Sequence, residues 1–202
     1  MISIIVPIRG EVPGGAEPLE AFAREPDSEL IVADGDGPRG ARLARAAERA
    51  RGDVLFFLHA DSCPPDGALD LIRKTLESGA DAGAFSLAYE GGGLPMRWIA
   101  WWANRRSRAW KLPLGDQGIF CRRSTYERSG GFRDLPICDD LDFVLRLRRA
   151  GRFVVRPEKT RTSPRRYRQV GVPRQVLRTW KVMLGYFAGV APEKLTRWYE
   201  GD

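Results

Sequence analysis

Histidine and cysteine are scarce in this sequence: one His and three Cys among 202 residues. Cys63, Cys121 and Cys138 form no C-x-x-C pair, and an odd number cannot all pair internally. They are therefore expected to be reduced thiols of a cytoplasmic protein, not a disulfide framework. No apolar run approaches the length of a transmembrane helix, and the chain enters a strand-like segment at once, so neither a membrane span nor a signal peptide is expected. Hydrophobic residues make up 43% and charged residues 29%. Those values exclude a disordered chain, a collagen-like repeat and a disulfide-stapled mini-protein. The length fits one domain, or one domain with a short appendage.

The charge is what is abundant. Lys and Arg number 33 against 26 Asp and Glu, a net +7. Residues 1–80 carry 9 basic and 14 acidic side chains, a net −5, whereas residues 81–202 carry 24 and 12, a net +12. This points to two differently charged faces and to anionic partners: a phosphorylated metabolite, nucleic acid or an anionic membrane surface.

Ile2–Pro7, Glu29–Asp34 and Asp53–His59 read as buried strands ending in loops, separated by helical patterns at residues 17–24 and 39–51 and followed by a helix opened by Pro64-Pro65-Asp66. Alternating buried strands and helices mark an α/β fold with a mixed, mostly parallel sheet flanked by helices. In such sheets ligands bind beyond the carboxyl ends of the strands. All three ends deliver polar residues there: Arg9 and Glu11, Asp34 and Asp36, His59 and Asp61. Asp66 fits a helix cap, but caps have no need to cluster as Asp34 and Asp61 do.

Further on, Ala84–Tyr89 and Gly118–Arg122 read as strands, and Leu141–Arg149 as an amphipathic helix. The segment 94–111 interleaves Trp98, Trp101, Trp102 and Trp110 with arginines. Helically spaced Trp is expected in a core, with single-stranded nucleic acid or a membrane interface as the alternatives. Val176–Phe187 carries an apolar helical stripe. It is expected to pack on the domain, or to serve as a docking or homodimer face.

Several of these motifs, in order, resemble the family 2 glycosyltransferases, and within them the small branch described as transferase 2, radical-SAM and selenodomain-associated. They are Ile4-Ile-Val-Pro7 with Glu11, Ile31-Val-Ala-Asp34-Gly35, Pro38-Arg39-Gly40-Ala41-Arg42, and Gly52–Leu58 leading to His59-Ala60-Asp61. Gly115-Asp116-Gln117, Gly130-Gly131-Phe132, Asp139-Asp140, Ser163–Tyr167 and Gly189–Pro192 complete the series. The chain departs from the family in two ways. Roughly twenty further residues usually follow the second strand's Asp, longer than an ordinary βα loop, so a helix and an edge strand are expected to be missing here. In addition, His59 replaces the first acid of Asp-x-Asp.

The resemblance implies a Rossmann-like GT-A domain over 1–170, with a nucleotide-binding half at 1–80, an acceptor half at 81–170 and a C-terminal helical tail at 171–202. It implies a metal-dependent, inverting transfer from a nucleotide-diphosphate sugar, a UDP-sugar by preference, to an unidentified acceptor. Pro7, Ile8, Glu11, Asp34, Arg39 and Arg42 would bind the nucleotide, and Asp61 with His59 would hold Mn²⁺ or Mg²⁺. Asp140, beside Asp139, would act as general base, and Asp116, Gln117, Arg165 and Arg166 would line the acceptor side. Simpler roles stand beside these: a structural His59, a solvated basic helix face for Arg39 and Arg42, and a dipole-stabilised helix start for Asp139 and Asp140. The competing functions are a catalytically silent nucleotide or sugar-phosphate binder, a nucleotidyltransferase on the same fold, and a nucleic-acid-binding protein. The last is disfavoured because no recognition motif accompanies the charge. Peripheral membrane contact is compatible with the sequence.

Overall fold

The computed structural model describes residues 1–8 and 25–201. Three of the apolar runs form strands β1 (Ile2–Pro7), β2 (Ser28–Ala33) and β3 (Val54–Phe57), with β1 paired in parallel to both others. The remaining strands are β4 (Ser62–Cys63), β5 (Ala82–Tyr89), β6 (Ile119–Arg122) and β7 (Phe153–Thr162). They join one seven-stranded sheet in the order β2-β1-β3-β6-β5-β7-β4. Three of the six pairings are parallel and three antiparallel. The helix expected at 17–24, together with Arg9 and Glu11, lies outside the described residues.

The apolar runs are unbroken because the sheet is covered on both faces. On one face Ile5, Leu55, Phe57 and Ile119 meet α1 (Arg39–Arg49) through Leu43, Ala46 and Ala47, and α5 (Asp139–Ala150) through Leu141, Val144 and Leu147. On the other face Ile4, Val6, Phe56 and Phe120 meet Leu69, Ile72 and Leu76 of α2 (Ala68–Glu77). Helix α3 (Gly93–Trp110) follows β5, and α4 (Arg123–Ser129) follows β6. The tail forms α6 (Arg165–Val170), α7 (Val172–Phe187) and α8 (Pro192–Glu200). Val182, Met183 and Leu195 insert into the first of the two cores, so the tail packs on the sheet domain.

Residues 34–38 connect β2 directly to α1, and β2 is the edge of the sheet. The expected burial of the tryptophans is corrected. Trp98, Trp101, Trp102 and Trp110 are 61%, 52%, 46% and 56% exposed, because α3 turns Met96, Ile99 and Ala100 inward and leaves these rings outside. The C-terminal stripe is divided in the same way: Val182 and Met183 are buried, whereas Leu177, Trp180, Leu184 and Phe187 face out. None of the described helices is long and apolar enough to cross a membrane.

Candidate active site

The parallel strands β1, β2 and β3 end on the same side of the sheet. Beyond β3 the chain makes a turn at His59–Ser62, closed by the Ser62 N–H donating to the His59 carbonyl at 3.0 Å. It then reaches the opposite edge, where β4 pairs with β7. Strand β6 runs antiparallel to β3, with Ile119 opposite Phe57. The tight turn Gly115–Gln117, just before β6, therefore sits at the same end as His59. A small cleft there is bordered by Pro7, Arg39, His59, Gly115 and Asp140. Phe57 and Phe132 of its lining pack with Phe143 at ring-centroid distances of 4.0–5.5 Å.

Helix α5 delivers two adjacent carboxylates. Cys138, a non-glycine residue in the left-handed region (φ 60°), turns the chain into the helix, whose first turn then carries Asp139, Asp140 and Asp142. Acids suit this end of a helix dipole. Across from them stands Arg39, the first residue of α1. Its Nε and Nη2 donate to Asp139 Oδ2 and Oδ1 at 2.9 and 2.8 Å, a bidentate pair. Its Nη2 also lies 3.4 Å from Asp140 Oδ2, and its Nη1 donates to His59 Nε2 at 2.6 Å. One guanidinium thus organises three residues of the cleft.

Gly40 makes this approach feasible. A Cβ there would run into the Arg133 carbonyl oxygen and come within 3.1 Å of Asp139 Cβ. Gly115 acts similarly on the other side, since a Cβ would stand 2.6 Å from His59 Nε2 and 3.1 Å from Asp140 Oδ2.

The electrostatics follow from this geometry. Burial by itself would raise the Asp140 pKa. Arg39 and the backbone N–H groups of Gly115 and Leu141, both at 2.8 Å, outweigh it and hold the carboxyl below its ordinary range. Burial and the Arg39 charge depress His59 from 6.5 to about 3. The ring is therefore neutral, with Nε2 accepting from Arg39 and the proton assigned to Nδ1. Burial pushes Asp116 from 3.8 up to about 6, with Arg106 of α3 opposing the shift and Asp140 and Asp61 adding to it. Asp116 thus feels the charge of both Asp61 and Asp140.

The remaining expected residues are placed as follows. Asp61 is exposed at the tip of its turn. Asp34 is exposed at the end of β2, with its carboxylate 3.8 Å from Arg49. Pro7 borders the cleft, and the Ile8 carbonyl accepts from Arg42 Nη1 at 2.7 Å. Arg42 is buried, and the same nitrogen also donates to the Ala33 carbonyl at 3.3 Å, so this guanidinium ties the ends of β1 and β2 together. Gln117 is fully buried. Its Oε1 accepts from Ser107 at 2.7 Å and its Nε2 donates to the Phe85 carbonyl at 2.9 Å, which spends its polar groups on locking the turn. Arg166 stacks over Tyr199 at 4.2 Å, and Arg165 is exposed beside it at the start of α6. Glu11 lies outside the described residues.

Sequence reasoning missed Gly40, Gly115 and Arg106 as parts of the site. The glycines stood inside motifs already singled out, but only a backbone shows which glycine has a neighbour where its side chain would be.

Among the described residues no three His, Cys, Asp or Glu side chains are grouped to hold a metal ion. The available donors are carboxylate oxygens, with Asp61 the most open. Such oxygens suit Mg²⁺ or Mn²⁺, which complete their shells with water and phosphate. His59 has its Nε2 engaged by Arg39, which leaves only Nδ1 for a cation.

No protein-family profile matches the sequence, and no curated protein matches it. Solved structures do match in fold. A fragment of S. aureus TarS (residues 1–349) in complex with UDP-GlcNAc has a TM-score of 0.60 at 15% identity, over 80% of this chain and 58% of that one. The mannosyltransferase PcManGT from Pyrobaculum calidifontis, in complex with GDP-Man and Mn²⁺, gives 0.57 at 17%, over 90% and 59%. The catalytic domain of Drosophila beta1,4galactosyltransferase 7 gives 0.53 at 14%, over 78% and 64%. The chain thus spans about three-fifths of the lengths it matches, and it has a GT-A-like glycosyltransferase fold.

Proposed function

We propose that this protein transfers a sugar from a nucleotide-diphosphate sugar to an acceptor hydroxyl, with inversion at the anomeric carbon. The observation that carries the reading is the carboxylate of Asp140, held by Arg39 and the Gly115 N–H in a cleft at the carboxyl ends of β1 and β3, on this fold. Pro7, Ile8 and Asp34, with Glu11, would receive the nucleoside at the ends of β1 and β2. Asp61 would hold a divalent cation, which when bound neutralises the charge of the departing diphosphate. Neighbours of this fold bind UDP-GlcNAc and GDP-Man, which leaves uridine and guanosine diphosphate sugars as the donors to test.

Asp140 is the residue assigned as base. Arg39 and the Gly115 N–H, both on Oδ2, keep it ionised, and Oδ1 accepts from the Leu141 N–H with a second lone pair left for a proton. It takes the proton of the acceptor hydroxyl while that oxygen bonds to the anomeric carbon. The bond from that carbon to the diphosphate oxygen breaks, and the nucleoside diphosphate leaves. Asp139 positions Arg39, and through it Asp140. Asp116 would receive acceptor hydroxyls, and Arg165 would attract phosphate.

A second reading, a nucleotide-sugar binder without turnover, is favoured by one observation: Asp140 is already hydrogen-bonded at both oxygens. Calorimetric titration with UDP and GDP in the presence of Mn²⁺ tests the donor site common to both. Binding that weakens at least tenfold in Asp61→Ala is expected, and no binding of either nucleotide overturns both readings. Release of nucleoside diphosphate from a bound donor then separates transferase from binder.

A further inference from the structure

Nine of the eleven exposed large apolar side chains among the described residues belong to two helices, α3 and α7. On α3, Leu94, Trp98, Trp101 and Trp102 recur at helical spacing, with Trp102 packed edge-on against both other indoles at 5.9 and 5.1 Å. On α7 the outward stripe is Leu177, Trp180, Leu184 and Phe187. The helices are joined by an apolar groove whose walls include Pro95, Ile99, Pro173 and Val176. The outer apolar surface therefore continues from one helix to the other. Isolated exposed apolar residues are ordinary, whereas a contiguous patch marks a contact surface.

The charges around this surface indicate what it contacts. Helices α3, α6 and α7 carry four, three and three basic residues and no acidic one. Arg97, Arg105, Arg108, Arg174 and Lys181 are exposed among the apolar side chains, and Arg105 lies over the Trp101 ring at 5.5 Å. We infer that the α3–α7 face docks on an anionic lipid bilayer surface, with the indoles and leucines in the headgroup boundary and the arginines on lipid phosphates. Several features are those of an interfacial amphipathic surface: Trp, Phe and Leu on one side, Arg and Lys around them, and no helix able to span. A protein partner of matching charge would have to supply both a large acidic rim and an apolar centre; an anionic bilayer presents both everywhere. The inference does not depend on the transfer reaction, although α3 also carries Arg106, whose charge acts on Asp116 of the candidate site.

The test is flotation of the full chain with vesicles of phosphatidylcholine alone or with about 30% phosphatidylglycerol, read together with the tryptophan emission spectrum. Binding to the anionic vesicles, a blue-shifted emission and loss of binding at high salt are expected. Trp98→Ser/Trp102→Ser, two exposed substitutions, should weaken binding and diminish the blue shift. Arg105→Gln/Lys181→Gln should weaken binding roughly thirtyfold, since each basic side chain near such a surface contributes a factor of about five. Circular dichroism identical to the parent shows that these variants fold. A monomer that stays unbound to anionic vesicles at low salt overturns the inference. So does a stable dimer that is dissociated by Trp98→Ser/Trp102→Ser, since a second copy then covers the face.

Discussion

Arg39 is the residue on which the cleft depends. It satisfies the buried Asp139 at two oxygens, steadies Asp140 and fixes the His59 tautomer. Removing one member of a buried pair leaves the other charge uncompensated, so Arg39→Ala should cost about 3–5 kcal/mol in a denaturant titration. Arg39→Lys should recover only part of that, because an ammonium cannot span both Asp139 oxygens. The sole histidine gives a direct readout, since its imidazole signals are unique in a proton spectrum. In metal-free buffer His59 should remain neutral in the folded protein down to about pH 3. The unfolded chain takes up that proton below about 6.5, so this group removes stability as pH falls through that interval. Asp116 acts in the opposite sense. With its pKa raised from 3.8 to about 6, its penalty is present above pH 6 and is relieved on acidification toward 3.8. The two slopes cancel in part between them. Asp116→Asn should therefore stabilise the protein at pH 7 by about 1–2 kcal/mol after allowing for solvent screening, and should steepen its loss of stability between pH 6 and 4. Thermal melts across that range check both effects.

At the scale of elements, the site is made by two close approaches: α1 against the start of α5 at Gly40, and the turn before β6 against the His59 turn at Gly115. Gly40→Ala has backbone in its way and should destabilise by about 1–3 kcal/mol, as overpacking does. Gly115→Ala meets only side chains. It should leave stability nearly intact while displacing His59, seen as a shift of the imidazole resonances and a drop in turnover. The strands and the amphipathic helices could be read from the sequence because runs such as Ile2–Val6 and Leu55–Leu58 leave no other reading on a sheet covered on both faces. The roles of individual basic residues could not. Arg39 and Arg42 sit three apart on one helix, yet one pairs with carboxylates from α5 while the other bonds main-chain carbonyls of β1 and β2. The partner of Arg39 lies 100 residues away in the chain and those of Arg42 lie 34 and 9 away, so no local pattern separates the two. For the same reason Gln117 looked like a ligand group and is a buried lock, and the Trp-rich helix looked like core and is surface.

At the scale of the whole molecule, the uneven charge acquires a physical layout. The acidic first part contributes Asp34 and Asp61 at the strand ends, and the basic remainder contributes α3, α6 and α7 with their outward arginines. The strand-end acids were legible because strands imply a common end for their loops; the contribution of α5 and of the turn before β6 required the antiparallel β6, which no local pattern announces. On this fold the layout puts the proposed donor site, the proposed base and the exposed α3–α7 face on connected elements. The most direct measurement of the central claim is release of nucleoside diphosphate from a panel of UDP- and GDP-sugars with Mn²⁺, by the parent protein and by Asp140→Asn. The account predicts turnover of at least one donor and a fall of about 10²–10⁴-fold in the variant, with donor affinity retained. Turnover that Asp140→Asn leaves unchanged, or binding of donor with no turnover in the presence of candidate acceptors, would contradict it.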